Sequence, residues 1–326
     1  MGFLKRLFGG ADRDAREPQA EPAAASPESA PAQAPSDMIR MFDREGQAVM
    51  ITAQEYRTGV LPQTLAAASA EPDQLYGILV DAFGRGWFED GLESARRLLE
   101  IDPIRERAAN LLGIALMRTG QLDEAQSVLE AQVEIGGLTG VVQTNLAKIQ
   151  ADRGDAEGAR RMLWEAIELD PNLPNSVDWW GALARARDGE EGWERAMESV
   201  AALEGSWRAQ LWLARAALER DEVERAVELY RGAIPRAREY GDALMMISGD
   251  LGRSGQLRQA VDLVGPVYDP NQHGPSAGFN LVHAWLQLGE RAGGLEVVER
   301  LEALGRADLI APLRDLRGQL ERLGPG

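Results

Sequence analysis

The sequence predicts an all-α fold of antiparallel helix pairs stacked one on the next, and three observations predict it. Ala, Leu, Glu and Arg, all strong helix formers, recur through the 326 residues, while β-branched runs stay short. Gly86, Gly120 and Gly154 stand 34 residues apart, and the same beat continues at Asp188–Gly189, Asp221, Gly255 and Gly289, each time between two helical patterns. A second column of small residues follows five positions behind, at Gly91, Ala125, Ala159, Ala226, Ala260 and Gly294. Self-similarity at this period signals a repeated two-helix unit.

The columns have physical meanings. A Gly between two helices permits the left-handed turn that reverses the chain. A small residue early in the second helix (helix B) lets the two axes approach closely. Pro103 and Pro171, two periods apart, follow helix B and prevent its continuation. One pair cannot bury its own apolar stripe, so neighbours stack into a shared core.

In chain order, residues 1–9 form a small basic-apolar patch of Phe3, Leu4, Leu7 and Phe8 around Lys5 and Arg6. The rest of segment 1–37 is rich in Ala, Pro, Glu and Ser, has no apolar face to bury, and reads as a disordered tail. Residues 38–71 form a separate module. MIRMFD and AVMIT flank REGQ, with Gly46 suited to a tight connection, which reads as a β-hairpin. Thr52 and Glu55 then make a capping box that opens a short helix, interrupted by Gly59 and Pro62.

The repeats occupy 72–304, in about seven helix pairs. The fourth pair is irregular: its small column shifts to Ala196. Further on, Pro266 falls inside a would-be helix B. The final segment, 305–326, carries Leu309, Leu313, Leu316, Leu320 and Leu323 on a helical stripe and reads as a capping helix.

Three stretches resemble the tetratricopeptide repeat (TPR) consensus. In NLAKIQADRGDAEGARRMLWEAIELDP, the residues Leu146, Ala147, Gly154, Ala159, Leu163, Ala166 and Pro171 fall on its positions. Leu112, Gly113, Gly120, Ala125 and Leu129 do so in the preceding unit, and Leu213, Ala214, Ala226, Tyr230 and Ala233 in a later one. The resemblance implies a TPR superhelical solenoid over 72–304. It also implies that the first helix of each pair (helix A) lines a concave groove that holds a partner. The segment 38–70 looks like the lead segment of a group of bacterial TPR proteins.

Composition narrows the function. There is no Cys, so thiolate nucleophiles and Cys-ligated metals are excluded, and His273 and His283 lack metal-site spacing. No cofactor is expected. The net charge of −17 disfavours nucleic acid. Lys5 and Lys148 are the only lysines beside many Arg, a bias that fits GC-rich bacterial coding. No apolar run reaches the ~20 residues of a membrane span, and the expected location is cytoplasmic. No Gly-rich phosphate loop, nucleophile elbow or calcium loop appears.

The expected function is therefore a non-catalytic scaffold for other proteins or peptide segments. Through the resemblance, the groove positions include Tyr76, Asn110, Lys148, Arg185, Arg208 and Arg215, along with Phe83, Met117, Leu211, Met245, Phe279 and His283. The basic members suit an acidic partner segment. The plainer alternative is that these Arg pair with neighbouring carboxylates. Trp179, Trp180, Trp207 and Trp212 lie close in sequence and read as packing residues rather than a ligand cage. Two other functions stay open: a membrane-peripheral factor tethered by residues 1–9, and an enzyme on a TPR architecture.

Overall fold

The glycine beat is a backbone beat. In the computed structural model, Gly86, Gly120, Gly154, Gly189, Gly255 and Gly289 all have φ between 66° and 88°, and Asp221 takes φ 59° at the same place in its repeat. At these turns other than Gly189 the amide of the left-handed residue bonds back three residues and the next amide bonds back five. Gly120 reaches the Met117 carbonyl at 3.1 Å and Gln121 reaches Leu116 at 2.8 Å. Asp221 to Leu218 (3.1 Å) and Glu222 to Ala217 (2.9 Å) repeat the pattern. This pair of bonds satisfies carbonyls that the end of helix A would otherwise leave open.

The structure describes residues 38–42 and 47–324. The expected tail 1–37, with its basic-apolar start, and the hairpin connection at Gly46 lie outside these residues.

Strand β1 (Met38–Phe42) pairs antiparallel with β2 (Ala48–Thr52), with Arg40 opposite Met50. The Thr52 side chain accepts the Glu55 amide, and the Glu55 carboxylate accepts the Thr52 amide at 2.8 Å, closing the expected capping box. The helical path then runs through α1 (Ala53–Glu55), a wide turn at Tyr56–Val60, and α2 (Leu61–Ala67). Gly59 and Pro62 do not interrupt it. The Leu61 amide reaches back five residues to Tyr56, and this wider turn seats Pro62 in the first turn of α2.

Seven helix pairs follow among the described residues. They are α3 (Pro72–Gly84) with α4 (Phe88–Ile101), α5 (Arg105–Arg118) with α6 (Leu122–Gly136), and α7 (Gly140–Asp152) with α8 (Ala156–Leu169). The fourth is α9 (Pro174–Ala201), which breaks at Asp188–Gly189. Then come α10 (Arg208–Glu219) with α11 (Val223–Ala237), α12 (Gly241–Arg253) with α13 (Leu257–Val264), a short α14 (Pro270–His273), and α15 (Ser276–Leu288) with α16 (Arg291–Glu302). Helix α17 (Ile310–Glu321) closes the described chain.

The described residues fall into two compact units. The first ends with 145–159, and the second takes 139–144 together with 160 onward. The first unit buries Leu75, Leu79, Phe83, Leu98, Leu112, Leu116 and Leu129. The second has a core running from Trp207, Leu211 and Tyr230 through Leu244, Ile247 and Leu281 to Leu313 and Leu320.

Two expectations about irregular repeats need correction. In the fourth pair the small column does not shift to Ala196. Trp193 occupies the column, and the small partner sits opposite it at Gly181, where an added Cβ would come within 2.8 Å of the indole. In a continuous helix those residues would stand about 18 Å apart along the axis, so α9 doubles back at Gly189 into two packed halves. Pro266 is not inside a helix: α13 ends at Val264, and Pro266 follows its cap. Pro235, by contrast, does lie inside a helix, near the end of α11.

Candidate functional site

The candidate residues lie on A helices, and in each unit those helices are tied by polar contacts close to one repeat apart. In the first unit, Arg107 of α5 bonds Asp73 of α3 at 2.5 Å, and Asn145 of α7 donates to Asn110 of α5 at 2.9 Å. In the second, Trp212 Nε1 donates to Asp178 at 2.8 Å and Arg208 pairs with Asp242 at 3.0 Å. Arg215 pairs with Asp250 at 3.0 Å, and Asn280 donates to Ser248 at 3.0 Å. Within each unit, stacked repeats place equivalent positions side by side, so a charge on one A helix meets its partner roughly 34 residues away.

The deepest of these ties is Asp250, whose side chain is only 2 % exposed. Its carboxylate accepts from Arg215, from the buried Tyr230 hydroxyl at 3.0 Å, and from Arg253. Burial, with the Asp250 charge beside it, pushes the Tyr230 hydroxyl up. Four groups from α10, α11 and α12 thus form one network in which a buried carboxylate is matched by two guanidinium groups.

Arg208 and Arg215 come together as the sequence suggested, but not as free charges. Trp212 lies between them, its ring 5.8 Å from the Arg208 guanidinium and 4.8 Å from that of Arg215. Positions 208, 212 and 215 fall on one helix face by their three- and four-residue spacing. Arg208 is 7 % exposed and also donates to the Asn172 carbonyl. Beside this triad, loss of hydration raises the Asp178 carboxyl, while the Trp212 bond and the two Arg charges pull it back.

The remaining predicted residues sit elsewhere. Arg185 folds across the break in α9, pairing with Glu190 at 2.6 Å and covering the Trp193 ring at 4.9 Å. In the first unit, Tyr76 is half-buried under the Arg107 guanidinium, 4.8 Å from its centroid. Asn110 is buried and donates to the Glu106 carbonyl. Lys148 is half-buried by surface, yet its ammonium is largely desolvated, which pushes it down to about 7 against the opposing charge of Asp152.

Phe83 and Leu211 were expected to line the groove, and both are fully buried. Phe83 stacks on Phe88 at 5.2 Å and covers Gly91. They belong to the core because the A-helix stripe that meets helix B is wider than the consensus positions suggest. Met245 and His283 stay exposed. Next to them an open depression of about 350 Å³ lies between α12 and α15, floored by Gly249, Gly252 and Ala284 and rimmed by Arg253, Asn280, His283 and Gln287.

Trp180 and Trp207 enter separate ring pairs, and Trp212 meets Trp207 only through Arg208, which lies against both rings. Trp164 packs on Trp180 at 5.0 Å and Trp207 on Tyr240 at 5.3 Å. Among the described residues no three His, Asp or Glu come together as a metal site needs, and no helix is long and apolar enough to cross a membrane. The sequence reading missed Asp178, Tyr230, Asp250 and Asn280. A signal for Asp178, Asp250 and Asn280 existed in the repeat itself, since each stands 32 to 35 residues from its partner.

The helix pairs, their left-handed turns and the polar ties at one-repeat spacing define a helical-repeat protein. Residues 76–136 and 187–242 match the family model described as tetratricopeptide repeat. Those two stretches carry tetratricopeptide repeats. No curated protein matches it. Similar solved structures include a tetratricopeptide repeat protein from Parabacteroides merdae, 15 % identical over 77 % of this chain and 99 % of that one, with a TM-score of 0.32. PilF of Pseudomonas aeruginosa is 14 % identical over 70 % of this chain and 99 % of its own, with a TM-score of 0.32. The TPR2AB domain of yeast Sti1 in its pHSP90 complex is 14 % identical over 77 % and 98 %, with a TM-score of 0.29. The TPR fold is in general a scaffold for protein–protein interaction.

Proposed function

We propose that this chain is a non-catalytic, cytoplasmic scaffold that holds a segment of another protein along its A-helix face, with the second unit as the main contact. The observation that carries this is the sequence of surfaces on α10, α12 and α15. An indole flanked by two guanidinium groups is followed by the exposed Met245, then by the glycine-floored depression with Arg253, Asn280 and His283 at its rim. Aromatic and Arg anchors beside a small-residue floor suit an extended segment whose side chains alternate between apolar and acidic. Arg208 and Arg215 contribute here chiefly by orienting Trp212, because Asp242 and Asp250 already neutralise them. Arg253, 73 % exposed while anchored on Asp250, is the guanidinium that reaches a partner carboxylate.

Tyr76 and Lys148 are proposed as a contact surface of the first unit, with the buried Asn110 supporting it through its bonds to Glu106 and Asn145. Nucleic acid is disfavoured as a partner by the net charge of −17.

The test is affinity capture from native lysate with the wild type and with a Met245→Glu, His283→Glu double variant of unchanged helicity. The expected result is a partner held by the wild type and lost by the variant. Equal recovery of every partner would overturn the reading. The membrane alternative is separated by deleting residues 1–9 and fractionating cells. A shift from membrane to soluble fraction would favour the tether, and solubility of both forms would remove it.

A further inference from the structure

Among the described residues the β-hairpin is a two-stranded sheet, and no third strand pairs with the outer edge of either strand. A ribbon of two short strands is marginal in water, and a further strand is the usual remedy. The two edges differ. β1 (MIRMF) carries Arg40 at its centre, and a charge there discourages strand addition. β2 (AVMIT) has no charge, no Pro and no Gly, and Val49 and Met50 are 41 % and 43 % exposed.

We propose that β2 pairs antiparallel with β2 of a second copy of this chain, centred on Met50. The occupant follows from self-complementarity. In that register Met50 faces Met50, Val49 faces Ile51, and Ala48 faces Thr52, so every pair is uncharged. Within one hairpin Ile39 already faces Ile51, and Met41 faces Val49. The four-stranded sheet therefore carries Ile39, Met41, Val49 and Ile51 of both copies on one continuous apolar face, with cross-strand pairs of the kind that stabilise sheets. Pairing through β1 instead would set Arg40 against Arg40. The net charge of −17 repels the two copies at long range, so salt strengthens the dimer. This association is independent of what the A helices hold.

The experiment uses the full chain in sedimentation velocity over a concentration series at low and high salt. A monomer–dimer equilibrium shifted toward dimer by salt is expected. Met50→Lys, which puts two ammonium groups face to face, weakens it by about tenfold or more, while Arg40→Ala does not weaken it. The chain has no Cys, so Met50→Cys gives a clean second readout. Mild oxidation yields a covalent dimer, whereas Val49→Cys, which faces Ile51 and not itself, yields little. The proposal is overturned by a monomer at all concentrations, by a dimer indifferent to Met50→Lys, or by failure of Met50→Cys to cross-link. Should Met50→Lys lose helicity, the Cys pair alone decides.

Discussion

Gly181 lies under the indole of Trp193, close enough that a methyl group in place of its hydrogen would meet Cδ1 and Nε1 at 2.8 Å. Elsewhere the same two positions hold Leu79 with Gly91, or Gly113 with Ala125. The close approach of helices A and B thus tolerates a large residue on either side, provided the other side is nearly bare. Gly181→Ala is expected to cost about 1–3 kcal/mol through overpacking. Much of that cost returns when Trp193→Ala is added. A urea-denaturation cycle over the four proteins checks it, and additive losses would show that the two residues do not share the space.

Asp221 is the single non-glycine residue with positive φ among the described residues. A side chain in that region costs roughly 1–2 kcal/mol, less for Asp than for most. Asp221→Gly is expected to stabilise by up to about 1 kcal/mol, read as a raised melting temperature. Asp221→Val is expected to lower it.

Removing the Asp250 carboxylate leaves Arg215 without its ion-pair partner and the buried Tyr230 hydroxyl without its acceptor. Breaking a buried pair from one side costs about 3–5 kcal/mol. Asp250→Ala is expected in that range by urea midpoint, and Asp250→Asn below it, because the amide oxygen still accepts from Tyr230.

Lys148 gives a pH signature. Its folded value is pushed from 10.5 down to about 7, first by desolvation. Between those values the unfolded chain holds a proton that the folded chain has released, so this group's contribution to stability rises with pH from about 7 to 10.5. Below 7 both states are charged and the burial penalty is complete. Lys148→Met is therefore expected to raise the melting temperature most at pH 6, with the gain shrinking toward pH 10. A gain independent of pH would mean that the ammonium is well solvated.

Charge reversal at Arg208 makes a poor probe of partner binding. That side chain is 8 % exposed and tied to Asp242, so Arg208→Glu is expected to unfold its surroundings before it informs on a partner. Loss of helical circular dichroism at lower temperature than for Arg253→Glu checks this.

The seven turns were legible because each needs a backbone conformation that few residues adopt. A left-handed turn writes Gly, or once Asp, into the sequence at a fixed spacing. The capping box was legible because Thr52 and Glu55 meet at a fixed three-residue spacing, each accepting the other's amide. The fourth repeat was misread because Trp193 looks like a departure until Gly181, twelve residues earlier, is seen beneath it.

The site was less legible. For Arg208 and Arg215 the sequence left two readings, a basic stripe for an acidic partner or pairing with neighbouring carboxylates; the structure shows the pairing, with Asp242 and Asp250, which a composition of −17 could not name. What the sequence by itself determined is the local part: helix pairs, their turns, their period and the hairpin. What only the tertiary structure decided is pairing across repeats, which buries Phe83 and Leu211, matches Arg215 with Asp250, and holds Trp212 between two guanidinium groups. The physical reason is range. Backbone conformation depends on neighbours in the chain, whereas burial and charge pairing depend on which side chains stacking brings within a few ångströms.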